Sequence, residues 1–90
     1  MQKLFAVRDV KADAFGGLVV APTKGLATRS FLEVCSDRQS PMSQYPEDYS
    51  LYYLGDYDPS TGAIKALPIP ELVVTASEVL ANSKRVEVAA

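Results

Sequence analysis

The 90-residue chain has no histidine and no tryptophan, and it has one cysteine. Without histidine it lacks the usual general base, the usual activator of a serine nucleophile and the commonest metal ligand. A single thiol, Cys35, cannot close an internal disulfide or build a thiolate zinc cage. It falls on the apolar face of an expected helix, where free cysteine acts as a small hydrophobe, and a lone thiol fits the cytoplasm. No run approaches the roughly 20 apolar residues of a membrane span. The start, "MQKLFAVRDV", has no apolar signal core. Gly16, Gly17 and Gly25 match neither a phosphate loop nor a dinucleotide fingerprint. "DYDPSTG" has the look of an acidic calcium loop but lacks the ordered ligands and the closing glutamate. These absences set the expectation of a protein that is not an enzyme and takes no metal and no cofactor.

What is present suits a small folded unit. With 48% apolar and 22% charged residues the composition is globular, and 90 residues suffice for one domain, 1–90. A chain this short has a thin core, so burying an apolar face between copies is a natural gain, and a homo-oligomer, a dimer first, is expected. Charge is unevenly spread. Residues 1–45 hold six basic and four acidic side chains, net +2; residues 46–90 hold three basic and seven acidic, net −4. Such asymmetry suits a backbone-binding patch or head-to-tail contact between copies, while a pI of 4.9 argues against a surface that grips nucleic acid all over.

Patterning gives the order ββαββα. Residues 3–9, "KLFAVRD", alternate Phe5 and Val7 against Leu4 and Ala6, as a strand does. "GLVVAP" reads as a second strand, stopped by Pro22, in a hairpin with the first. Ala27, Phe31, Val34 and Cys35 then share one face of a helix over 24–36, with Thr23 as its N-cap. Residues 37–47 carry two prolines and read as a loop. "SLYYLGDY" and "AIKALPI" form a hairpin around the turn "DPSTG". Thr75 and Glu78 have capping-box spacing ahead of a short helix over 76–83, with Val74 and Val79 as its staple. Residues 84–90 fit either a frayed end or an extra strand. The fold class expected is α+β, an antiparallel sheet of about four strands with one main helix and one short helix.

All five tyrosines, Tyr45, Tyr49, Tyr52, Tyr53 and Tyr57, lie between Gln44 and Gly62. Single-stranded nucleic acid is held by aromatic faces that stack on bases and by cations that track phosphates. With no tryptophan some of these rings must fill the core. Alternation assigns Tyr53 and Tyr57 to the core and leaves Tyr45, Tyr49 and Tyr52 exposed.

"FAVRDVKADAFG", "TRSF", "SDRQS" and "YPEDYSLYYLGDYDPSTG", in this order and spacing, resemble the small non-structural protein of gokushovirus-type microviruses, icosahedral phages with single-stranded DNA genomes. The resemblance spans residues 3–80 and is densest from Pro46 to Tyr52 and from Gly55 to Asp58. Matching positions are Asp9, Lys11, Arg29, Pro46, Asp48, Tyr49 and Gly55. Arg38 stands where that family often has proline, and Tyr45 where it often has histidine. Pro46, Asp48 and Gly55 also have structural readings: a fixed turn, a local backbone acceptor, and a close backbone approach or bulge.

The resemblance implies a DNA-binding, non-structural phage protein of the host cytoplasm, absent from the virion and acting in genome replication or packaging. The expected partners are single-stranded DNA, further copies of the chain, and phage replication or capsid proteins, with no membrane. The expected nucleic-acid-binding residues are Lys3, Arg8, Lys11, Arg29, Arg38, Tyr45, Tyr49 and Tyr52. The alternative is an interaction module that recruits the replication initiator or the procapsid with little DNA contact.

Overall fold

The computed structural model describes the backbone of residues 1–89 and the side chains up to residue 83. Its elements are β1 (Gln2–Asp9), β2 (Ala14–Phe15), β3 (Val19–Ala21), α1 (Lys24–Ser36), α2 (Pro41–Gln44), a 3-10 turn (Pro46–Asp48), β4 (Tyr49–Tyr57), β5 (Ile64–Thr75) and α3 (Ala76–Ala89). The expected α+β order holds, with additions. β1 and β4 are the central strands of an antiparallel sheet in the order β2-β1-β4-β5. The hairpin expected at the start is split: β2 pairs with Arg8 and Asp9 of β1, and β3 with Lys3 to Phe5 along the same edge.

Local chemistry sets most element ends. Thr23 accepts a hydrogen bond from the Leu26 amide at 3.1 Å and so starts α1 where its spacing predicts. The expected loop 37–47 folds into α2 and the 3-10 turn, because Pro41 and Pro46 sit at first-turn positions that need no amide donor. At α3 the Glu78 amide donates to Thr75 Oγ1 at 3.1 Å. The Glu78 carboxylate accepts from the Thr75 amide at 3.2 Å and from its hydroxyl at 2.9 Å. This is the reciprocal capping box. The helix it starts runs to Ala89, past the expected end at 83, so residues 84–89 continue the helix and do not form the extra strand; residue 90 lies outside the described residues.

The core lies between one sheet face and the helices: Phe5, Ala21, Ala27, Phe31, Cys35, Leu51, Tyr53, Ala76 and Val79. Val34, expected among them, is 43% exposed, because the buried stripe of α1 follows Ala27, Phe31 and Cys35 in steps of four. Leu4 and Ala6 are buried on the other face, outside that cluster.

Two of the sheet's irregularities bear on the site. At Gly55 the pairing jumps: Phe5 lies opposite Tyr53, but Leu4 opposite Gly55, so Leu54 is an extra residue in β4. The bulge reverses alternation beyond it. Tyr53 and Asp56 therefore share a face, and the Tyr53 hydroxyl donates to the Asp56 carboxylate at 2.5 Å. Tyr57 pairs with Gln2 on the opposite face and stays outside the core, which corrects its expected place. The second irregularity is in β5, which continues through Pro68 and Pro70. Only a strand at a sheet edge, locally bulged, tolerates these missing donors.

Candidate functional site

Residues directly opposite each other on antiparallel strands share a face. On the face away from the helices, pairing sets Phe15 beside Arg8 and Ser50, Ala6 beside Tyr52 and Leu72, and Val20 beside Leu4. Phe15 and Tyr52 meet edge to face, with ring centroids 5.4 Å apart and planes at 83°. The Arg8 guanidinium stands 5.4 Å from the Phe15 centroid and donates to the Asp13 carboxylate at 2.5 Å. Phe15 remains 39% exposed, so this cluster is open to a ligand.

The turn after β1 adds a cation. Asp9 accepts hydrogen bonds from the Lys11 amide at 2.9 Å and the Ala12 amide at 3.3 Å. Asp13 follows at φ 53°, a conformation that aspartate tolerates better than most residues. This fixed turn leaves Lys11 exposed at its tip. Among the described residues Lys11, Arg29, Arg38 and Lys65 take part in no ion pair, whereas Arg8 is neutralised by Asp13.

The eight expected site residues do not form one strip. Arg8 and Tyr52 share the open face, with Lys11 on the adjoining turn. Arg29 on α1 and Arg38 just beyond it are exposed in the helical layer, and Tyr45, at 56% the most exposed tyrosine, lies in the neighbouring segment. Tyr49 and Tyr52 are partly buried, not exposed as expected. Tyr49 packs against the core, and burial, followed by the nearby Asp9 carboxylate, pushes its hydroxyl pKa up.

Lys3 belongs to a different group, in the helix-covered half. Its ammonium lies 5.0 Å from the Tyr53 ring centroid and 3.7 Å from Asp56. Lys24 approaches the same ring at 5.2 Å and bonds Glu71 at 2.5 Å. The hydrogen bond between Tyr53 and Asp56 raises the phenol pKa and lowers that of the carboxyl, and the hydrogen bond to Glu71 raises the pKa of Lys24. These cations thus fasten a core ring between β1, β4, β5 and α1.

Phe15 is the residue missing from the expected set. Its sequence neighbourhood, "DAFGG", reads as a turn, and only the pairing of Ala14 and Phe15 with β1 reveals a ring standing on Arg8. Among the described residues no group of histidine, cysteine, aspartate or glutamate could hold a metal ion, and no helix is long and apolar enough to cross a membrane.

Residues 2–79 match the Phage ORF5 protein family. The chain belongs to that family. Protein ORF5 of Chlamydia phage 1 is 32% identical over 75 residues, which cover 79% of this chain and 76% of the relative. No solved structure matches. The microvirus resemblance seen in the sequence therefore holds: this is a small microvirus-type phage protein of the ORF5 family. The matched span contains every strand, α1, α2 and the capping box of α3, hence all the residues grouped above.

Proposed function

We propose that this ORF5-family protein binds single-stranded DNA with little sequence preference, on the open face of its sheet. The observation that carries the reading is the Arg8–Phe15–Tyr52 cluster beside the turn of Lys11, which takes part in no ion pair among the described residues. Phe15 and Tyr52 supply aromatic surface for bases, which is sequence-tolerant because every base has a π-face. Lys11 supplies a phosphate contact at the end of that surface, and Arg8 a second one if a phosphate displaces Asp13. Arg29, Arg38 and Tyr45 come into play where a strand wraps around the domain edge onto the helical layer. The protein so read is a non-structural binder in the host cytoplasm, acting in genome replication or packaging rather than catalysing a reaction.

A second reading, recruitment of the replication initiator or procapsid, is favoured by the seven acidic residues of 46–90, which repel DNA. Titrating a fluorescent oligothymidine with wild type, Tyr52→Ala and Tyr45→Ala separates the two. Base stacking is worth about 1–3 kcal/mol per base, so Tyr52→Ala weakens binding by roughly tenfold and Tyr45→Ala by less. Equal affinity for all three proteins removes the open sheet face from the reading.

A further inference from the structure

We propose that Asp13 is an internal competitor for the anion site at Arg8, its carboxylate standing where a DNA phosphate binds until a strand displaces it. The inference rests on the DNA reading of the open face and adds a control to it. Arg8, near the end of β1, is gripped on two sides. The Phe15 ring lies 5.4 Å from the guanidinium, and the Asp13 carboxylate bonds it at 2.5 Å. The Arg8 side chain is 29% exposed and that of Asp13 86%, so the carboxylate is the part of the pair that meets solvent. A guanidinium offers carboxylate and phosphate the same fork of N–H donors. Asp13 thus marks the point where an anion joins this face.

The carboxylate is free to leave, because other groups hold the turn. Asp9 accepts from the Lys11 and Ala12 amides; the Val10 amide donates to the Asp48 carbonyl at 3.0 Å, and the Gly16 amide to the Val7 carbonyl at 2.8 Å. Rotation of one side chain therefore releases Arg8 with no change of backbone, and Phe15 keeps the guanidinium beside the aromatic surface. An exposed ion pair is weak, so a strand that also stacks on Phe15 and Tyr52 opens it.

Charge shows what the exchange does. From Arg8 to Asp13 the chain holds Arg8 and Lys11 against Asp9 and Asp13, and is neutral. A phosphate on Arg8 replaces one ion pair by another, so its net gain is smaller than at Lys11, which gives up no ion pair among the described residues. As the phosphate lifts away, Asp13 retakes Arg8. Affinity is thereby held down and release favoured, which suits a protein that gives up its strand as replication or packaging proceeds.

Titration of a fluorescent oligothymidine at low salt with wild type, Asp13→Asn, Arg8→Gln and the double variant tests this, with circular dichroism to confirm each fold. Asparagine suits the turn, since it tolerates a φ of 53° as aspartate does. Should Asp13→Asn lose its fold, Asp13→Gly replaces it on the same backbone. Losing an exposed ion pair shifts an equilibrium by about two- to fivefold, and Asp13→Asn binds tighter than wild type by that factor. In the Arg8→Gln background the same change brings no such gain, because there is no guanidinium to release. A wild type that binds no more weakly than Asp13→Asn overturns the competition and leaves the DNA reading standing. An equal gain with and without Arg8 does the same, since it reflects only the removal of a negative charge. If neither wild type nor Asp13→Asn binds at tens of micromolar, the DNA reading fails and the competition with it.

Discussion

Replacing Gly55 with alanine places a methyl group where β4 and β5 leave no room. A Cβ built at this position stands 2.3 Å from the Lys65 carbonyl oxygen and 2.8 Å from the Ala66 Cα. Both atoms are backbone, so relief requires pulling the two strands apart at the bulge. Overpacking of this kind costs about 1–3 kcal/mol, and holding a non-glycine residue at φ +157° adds a similar amount. The sum, about 2–6 kcal/mol, is a large part of the roughly 5–13 kcal/mol that a chain of 90 residues has in total.

Two other glycines calibrate the effect. Gly62 has φ +78° but nothing within 4 Å of a Cβ, so Gly62→Ala costs only the conformational term, about 1 kcal/mol. Gly17 has neither constraint, and Gly17→Ala is neutral or stabilising by up to about 1 kcal/mol through the unfolded state. Urea unfolding followed by far-ultraviolet circular dichroism gives the three midpoints at comparable slope. If Gly55→Ala unfolds at the same midpoint as Gly62→Ala, the close approach of β5 at the bulge is wrong. With it would fall the assignment of Tyr53 and Asp56 to one face and Tyr57 to the other.

Thr75→Ala removes the acceptor for the Glu78 amide and lowers stability by about 0.5–2 kcal/mol, read from the same urea curves. Asp56 has its carboxyl pKa lowered by the Tyr53 hydroxyl, so its contribution is present above the ordinary carboxylate range and fades as pH falls through the folded value. Asp56→Asn accordingly flattens the acid limb of the stability profile, and an unchanged limb refutes the role. Burial pushes the Cys35 thiol to about 11. In mildly alkaline buffer a thiol reagent therefore modifies the native protein only as fast as it opens, and rapid native labelling contradicts that burial.

Signals carried by a few neighbouring residues were legible in the sequence. Thr23 and the Thr75–Glu78 pair act through backbone groups three residues away, so spacing alone located the starts of α1 and α3. Gly55 read as a close backbone approach or bulge for the same reason, a residue without a side chain inside an aromatic strand. What followed from the bulge was not legible, because its effect on Tyr57 depends on register with β1, a partner some 50 residues away in the chain. The open-face cluster was half visible. Arg8 and Tyr52 stood out by residue type, but Phe15 joins them only through pairing at the far end of β1. Lys3 looked like a free phosphate contact because nothing near it in the sequence announces Asp56 or the Tyr53 ring.

The central claim is that this ORF5-family protein holds single-stranded DNA through cations and rings of its open sheet face. Equilibrium binding of a fluorescent oligothymidine at two salt concentrations tests it most directly, comparing wild type with Lys11→Ala. The account predicts that affinity falls as salt rises, with a log–log slope of roughly −0.7 per phosphate neutralised, and that losing Lys11 makes the slope shallower by about that amount. No binding at tens of micromolar in low salt, or binding indifferent to salt, contradicts it.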